Sequence, residues 1–157
     1  MLVGLISDTH GLLRPEALAA LQGCQLIIHA GDVGKSEILD RLHEIAPVVA
    51  VRGNIDKGLW AERLPVTALA KGGHARLYVL HDIHQLNLDP AAAGFQVVVS
   101  GHSHKPGQEQ RPGVLYVNPG SAGPRRFRLP ITVARLDVRP SGIAVRFLDL
   151  ETQAAEV

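Results

Sequence analysis

Short apolar runs recur along the chain, and each one stops at a polar cluster. Residues 2–7 (LVGLIS) lead into DTHG and 25–30 (QLIIHA) into GD. Residues 47–51 (PVVAV) lead into RGNID, 75–80 (ARLYVL) into HDIH, and 95–100 (FQVVVS) into GHSH. Continuous Val/Ile/Leu runs of this length predict strands buried on both faces. Helical segments separate the first three. Residues 15–22 open with a proline suited to a first helical turn, and 35–45 place Ile38, Leu42 and Ile45 at helical spacing behind Ser36, a residue suited to capping. Strand alternating with helix predicts right-handed crossovers and a parallel core.

The pattern then changes. Residues 64–80 read as two strands around a Lys71-Gly72-Gly73 turn, and 89–94 (DPAAAG) as a short helix stopped by Gly94. Strands are expected at 113–118, 130–138 and 142–150, the last two as a hairpin around Pro140-Ser141-Gly142, with the final seven residues fraying. The expected fold is a single domain, residues 1–157, of class α/β: an α/β/β/α four-layer sandwich of two stacked mixed sheets flanked by helices. Its first half is expected to be parallel and its second mostly antiparallel.

In open α/β sheets, ligands bind beyond the carboxyl ends of the strands. The five runs bring Asp8 and His10, Asp32, Asn54 and Asp56, His81, and His102 and His104 toward such an edge. Carboxylates, an amide oxygen and imidazoles gathered in one crevice would repel or lack partners without a cation. Oxygen and imidazole donors without thiolates suit borderline divalent metals rather than a structural zinc site. Asp8, His10, Asp32, Asn54, His81, His102 and His104 are too many for one tetrahedral ion. They suffice for two ions sharing a carboxylate, the usual apparatus for in-line displacement at phosphorus. Asp8 and His10 point the same way if their segment stays extended, as do His102 and His104. Gly31, Gly53 and Gly101 each precede a candidate ligand and permit sharp turns there.

Composition narrows the function classes. Sixteen Lys+Arg against fifteen Asp+Glu, with no long run of either sign, give no strong nucleic-acid signal and leave nucleotide-sized substrates open. No apolar run approaches the ~20 residues of a membrane span, the N-terminus does not read as a signal peptide, and Cys24 is alone. The expected location is cytoplasmic.

Taken in order, DTH (8–10), GD (31–32), GNID (53–56), His81 and GHSH (101–104) resemble the calcineurin-like metallophosphoesterase superfamily. NPGS (118–121) resembles the family's later block, and the short chain resembles its small prokaryotic phosphodiesterase branch. The resemblance implies a dinuclear metal-dependent phosphoesterase, a phosphodiesterase first, with a metal-bridging hydroxide attacking a small phosphoester in line. It implies catalytic residues Asp8, His10, Asp32 and Asn54. One ion would be held by Asp8, His10, Asp32 and His104, and the other by Asp32, Asn54, His81 and His102. Manganese is expected first, with iron, nickel, cobalt or zinc as alternatives, and relatives suggest a homodimer. Many relatives carry histidine where Ile55 stands, which puts the leaving-group proton donor in doubt, and His84 stands displaced from a second histidine common in the fourth block.

Two rival functions remain open: a non-catalytic scaffold, as in the retromer scaffold subunit of eukaryotes, and a nucleotide-directed phosphodiesterase or nuclease. Other residues read plainly. His29 is expected to be packed or supporting, His43 and His74 solvated, and Arg125 and Arg126 a solvated face rather than a phosphate clamp. Asp56 could support the ligands or cap a turn. Trp60 could pack on the core, line the cleft or meet another subunit.

Overall fold

A computed structural model describes residues 1–155. The chain runs β1 (Leu2–Ile6), α1 (Pro15–Ala20), β2 (Leu26–His29), α2 (Ser36–His43), β3 (Val48–Ala50), α3 (Leu59–Glu62), β4 (Thr67–Gly72) and β5 (Ala75–Leu80). A single 3-10 turn (Ile83–Gln85) follows, then β6 (Val97–Val99), β7 (Gly107–Arg111), β8 (Val114–Asn118), β9 (Thr132–Arg139), β10 (Gly142–Asp149) and α4 (Leu150–Ala155). One sheet has the order β10-β9-β1-β2-β3 and the other β4-β5-β6-β8-β7. Both are mixed, as the α/β/β/α reading expects.

Side-chain alternation explains the layers. Val3, Leu5 and Ile28 face Leu77, Val79, Val97, Val99 and Val117 across the gap between the sheets. Their neighbours Ile6 and Ile27 point outward, under Ala17 and Leu21 of the α1 region, Ile38 and Leu42 of α2, and Leu150 of α4. Burying each large side chain contributes about 1.5–3 kcal/mol. The outer face of the second sheet is covered more thinly. Tyr78, Leu80 and Val98 lie beneath Phe95, Ile83, Leu86 and Leu88, which belong to loops and the 3-10 turn.

Several expectations are corrected. Ser36 does not cap α2; it is the first helical residue, behind an extended Lys35 with no side-chain cap. Residues 89–94 form a hydrogen-bonded turn (Ala93 N–H to Asp89 O 3.0 Å, Phe95 N–H to Pro90 O 2.9 Å), because so short a segment cannot propagate a helix. The β4–β5 hairpin pairs Gly72 with Ala75, so its turn is Gly73-His74. The second half is mostly antiparallel, as expected, through β4–β5, β7–β8 and β9–β10, but it is not wholly so. β5, β6 and β8 are parallel, and the β9–β10 hairpin returns to the first sheet, antiparallel to β1. Residues 151–155 continue α4 instead of fraying, while 156–157 lie outside the described residues.

The parallel strands β1, β2 and β3 end at the same rim as β5 and β6. All five polar clusters therefore meet between the two sheets.

Candidate metal centre

The chain leaves β1 at Ser7 and turns sharply. Asp8, His10, Asp32, His102 and His104 all have left-handed backbone, with φ between 46° and 72°. Asp and His reach this region more readily than most residues, but each instance still costs about 1–3 kcal/mol. The extended geometry expected for DTH and HSH is therefore wrong: both segments are tight turns. The second turn also sends its histidines to different places. One group joins Asp8, His10 and His104, and another joins Asp32, His81 and His102.

Each aspartate divides its two oxygens. Asp8 Oδ2 accepts from Ser7 Oγ at 2.7 Å and from His102 N–H at 3.1 Å, while Oδ1 faces His104 Nε2 at 3.4 Å and His10 Nε2 at 3.8 Å. Asp32 Oδ1 accepts from Ile55 N–H at 3.1 Å. Its Oδ2 lies 3.2 Å from His81 Nε2 and 3.5 Å from His10 Nε2, so it faces both groups. Asp8 Oδ1 and the Nε2 atoms of His10, His81 and His104 are buried without a hydrogen-bond partner. Bonds of about 2.0–2.2 Å to one ion would set neighbouring donor atoms roughly 3–3.5 Å apart. The shorter separations match that spacing, and the donor types fit divalent transition metals.

Hydrogen bonding fixes which nitrogen of His81 faces the centre. His81 Nδ1 donates to Ala30 O at 2.7 Å, which leaves the Nε2 lone pair toward Asp32. Burial pushes the His81 pKa down, but the nearby Asp32 carboxylate and the Ala30 carbonyl outweigh it, and the net shift is upward. Burial also opposes ionisation of Asp32, yet the nearby His81 ring and the Ile55 N–H hold its pKa at about 2. His104 is lowered, mainly by burial, with the Arg126 charge adding to the effect.

A second tier holds the turns in place. Gly31 N–H donates to His29 Nδ1 at 3.1 Å, so Nε2 carries the proton toward Thr9 Oγ1 at 3.0 Å, and Thr9 donates to Val33 O at 2.7 Å. His29 is thus a neutral, buried support, as expected, with its pKa pushed to about 4 chiefly by burial. Asp56 accepts from Val33, Gly34 and Gly53 N–H at 2.8–3.2 Å, tying the Asp32 loop to the Asn54 loop. Side chains at Gly53 or Gly101 would collide with Asp32 or with Ser7 and Asp8, so those glycines serve close approach, without positive φ. Sequence reasoning missed the roles of Ser7, Thr9, Asn118 and Ser121. Asn118 Nδ2 donates to Gly101 O at 2.9 Å, and Ser121 Oγ to Asp8 O at 3.0 Å. The NPGS block was the available signal.

The remaining singled-out residues separate clearly. Asn54 is exposed and lines a cavity of about 500 Å³ beside His81. His84 is 87% exposed and bonds Asp82, whose other oxygen lies 4.0 Å from His102 Nε2. His43 is exposed on α2, and His74, also exposed, bonds Arg139 O. Arg125 pairs with Glu151, whereas Arg126 is exposed within electrostatic range of His104. Trp60 packs against the core under α2. Among the described residues, no helix is long and apolar enough to cross a membrane.

The chain is similar to known proteins in sequence and fold. The calcineurin-like phosphoesterase superfamily domain matches residues 1–141. A protein named a probable metallophosphoesterase from Methanothermobacter thermautotrophicus is 36% identical over 149 residues, covering 87% of this chain and 87% of that one. The phosphodiesterase YfcE of Escherichia coli K12 is 33% identical, covering 83% of this chain and 84% of its own. Vps29 of Chaetomium thermophilum shares the fold, with a TM-score of 0.76 at 19% identity over 94% of this chain and 95% of that one.

Proposed function

We propose that this chain, which belongs to the calcineurin-like phosphoesterase superfamily, hydrolyses small phosphodiesters with two divalent ions held where its strands end. The observation that supports this most is the set of buried, unpartnered atoms Asp8 Oδ1 and Nε2 of His10, His81 and His104, beside Asp32 Oδ2, which faces both groups, with His102 exposed at the rim. In this reading Asp8, His10, Asp32 and His104 hold one ion, and Asp32, Asn54, His81 and His102 the other. Manganese is the first choice, and iron, nickel, cobalt and zinc suit the same donors. When bound, the ions supply a nucleophile from water and neutralise charge developing on the phosphoryl oxygens.

The chain's own contribution is preorganisation. Asp8 and Asp32 each fix one oxygen by hydrogen bonds and present the other, so little reorganisation is needed when substrate arrives. Asn54 and His81 open onto the 500 Å³ cavity, which leaves room for an ester arm. Ile55 cannot protonate a leaving group, and His84 is engaged with Asp82 in solvent. Esters with acidic leaving groups are therefore preferred. Aryl diesters should turn over at least about a hundredfold faster than alkyl monoesters, in line with the worth of a missing general acid; comparable rates in a substrate panel would contradict this. The free, buried Cys24 suits a reducing, cytoplasmic setting.

A scaffold of the same fold is the rival, since fold alone does not fix activity. The test is hydrolysis of bis-p-nitrophenyl phosphate with and without manganese, with metal content measured on the same samples. Turnover and two bound ions are expected for the native chain, with loss of both in Asp32→Ala and of turnover in His102→Ala. Turnover surviving in both variants, or a protein that takes up none of manganese, iron, nickel, cobalt or zinc, defeats the proposal.

A further inference from the structure

We infer that the cavity beside the candidate metal centre is a site for a nucleoside arm of the substrate, an inference that rests on the phosphodiesterase reading. The cavity is about 500 Å³, within the size range of small-molecule sites. It opens directly from Asn54 and His81, so a phosphoryl group at the centre would direct one ester arm into it. Beyond those two residues, its walls carry Arg52, Thr67, Gln85 and Asn87, over a floor that includes Tyr78 and Leu80.

The lining selects by chemistry. A wholly apolar arm would strip water from the hydroxyl and the two amides without replacing their hydrogen bonds. Arg52 and Asp82 line the cavity together, so a charged arm of either sign would be attracted by one and repelled by the other. What remains is a neutral, polar arm. Gln85 and Asn87 each place a donor beside an acceptor, the complement of a nucleobase edge. Both residues are exposed on the 3-10 turn and the loop that follows it, where an entering ligand can reach them. A formal net charge of +1 suits one nucleotide better than a polymer.

The experiment compares p-nitrophenyl phosphodiesters that differ only in the second arm: thymidine 5′, methyl, and a hexose. The thymidine ester is expected to exceed the methyl ester about tenfold in kcat/KM, the worth of one or two added hydrogen bonds. That ratio should fall to near one in the Gln85→Ala/Asn87→Ala double variant and persist in Lys71→Ala, at an exposed position of β4 outside the cavity lining. Calorimetry of thymidine 5′-monophosphate with the manganese-loaded protein gives a readout without turnover. Weaker binding in the double variant than in the native chain is expected. Equal rates for all arms, a preferred hexose, or a thymidine preference and nucleotide binding that ignore both substitutions each overturn the nucleoside site. No hydrolysis of any ester, with nucleotide binding intact and sensitive to the double variant, overturns the phosphodiesterase reading and leaves the site standing.

Discussion

His102 shows how a single residue can trade stability for a site. Its φ of 72° places a β-carbon in a crowded conformation, while its N–H braces Asp8 and its ring stands 5.1 Å from that of His81. His102→Gly keeps the N–H and removes the strain; His102→Ala removes only the ring. Both should lose the second ion, and the glycine variant should be the more stable by about 1 kcal/mol, or roughly 2–4 °C in thermal melting. Equal melting temperatures would show that no strain is stored there. His29 makes a pH-dependent contribution. Its pKa is about 4 in the fold, against 6.5 for an unperturbed ring, so between those values the unfolded chain binds the extra proton. Stability is therefore complete above pH 6.5 and lost as pH falls toward 4, by roughly 3 kcal/mol. His81, shifted upward, acts in the opposite sense, so the difference between native and His29→Gln isolates the buried ring. Urea unfolding at pH 7.5 and 4.5 should show a smaller pH dependence in the variant.

At the scale of elements, strands bring the donors near one another and loops aim them. The Asp32 loop and the Asn54 loop lie at the ends of neighbouring parallel strands β2 and β3, and Asp56 joins them through three backbone N–H groups. Asp56→Ala leaves those groups without their acceptor and should cost roughly 3 kcal/mol in denaturant unfolding. Metal affinity should fall in the same variant, because Asp32 loses the loop that carries its Ile55 hydrogen bond. A variant with native stability and native metal uptake would reduce Asp56 to a simple turn residue. The ambiguity of Asp56 in the sequence has a physical source: one carboxylate in GNID can bond locally or across strands, and only the β2–β3 register decides. β7 was illegible for a related reason. GQEQR is exposed throughout and pairs at an edge, so no hydrophobic alternation marks it.

For the whole molecule, a cation held between the sheets would link folding to metal. Donors from both sheets converge only in the native state, so manganese should bind the folded chain and hardly the unfolded one. Adding manganese at a hundred times its dissociation constant should stabilise the chain by about 2.7 kcal/mol, read as a rise in melting temperature that chelator reverses. An unchanged melting temperature would mean that the centre does not hold the ion. The sequence by itself marked the candidate donor residues, the five apolar strands and the α/β/β/α class, because apolar runs and the polar clusters that end them are local in the chain; it did not show that β3 would be a half-buried edge strand. Tertiary structure alone decided the left-handed turns at the candidate ligands, the hydrogen bonds that brace Asp8 and Asp32, and the return of the β9–β10 hairpin to the first sheet. Those features depend on which strands become neighbours, and contacts across 94 residues, such as His102 N–H to Asp8, leave no periodicity for a linear pattern to show.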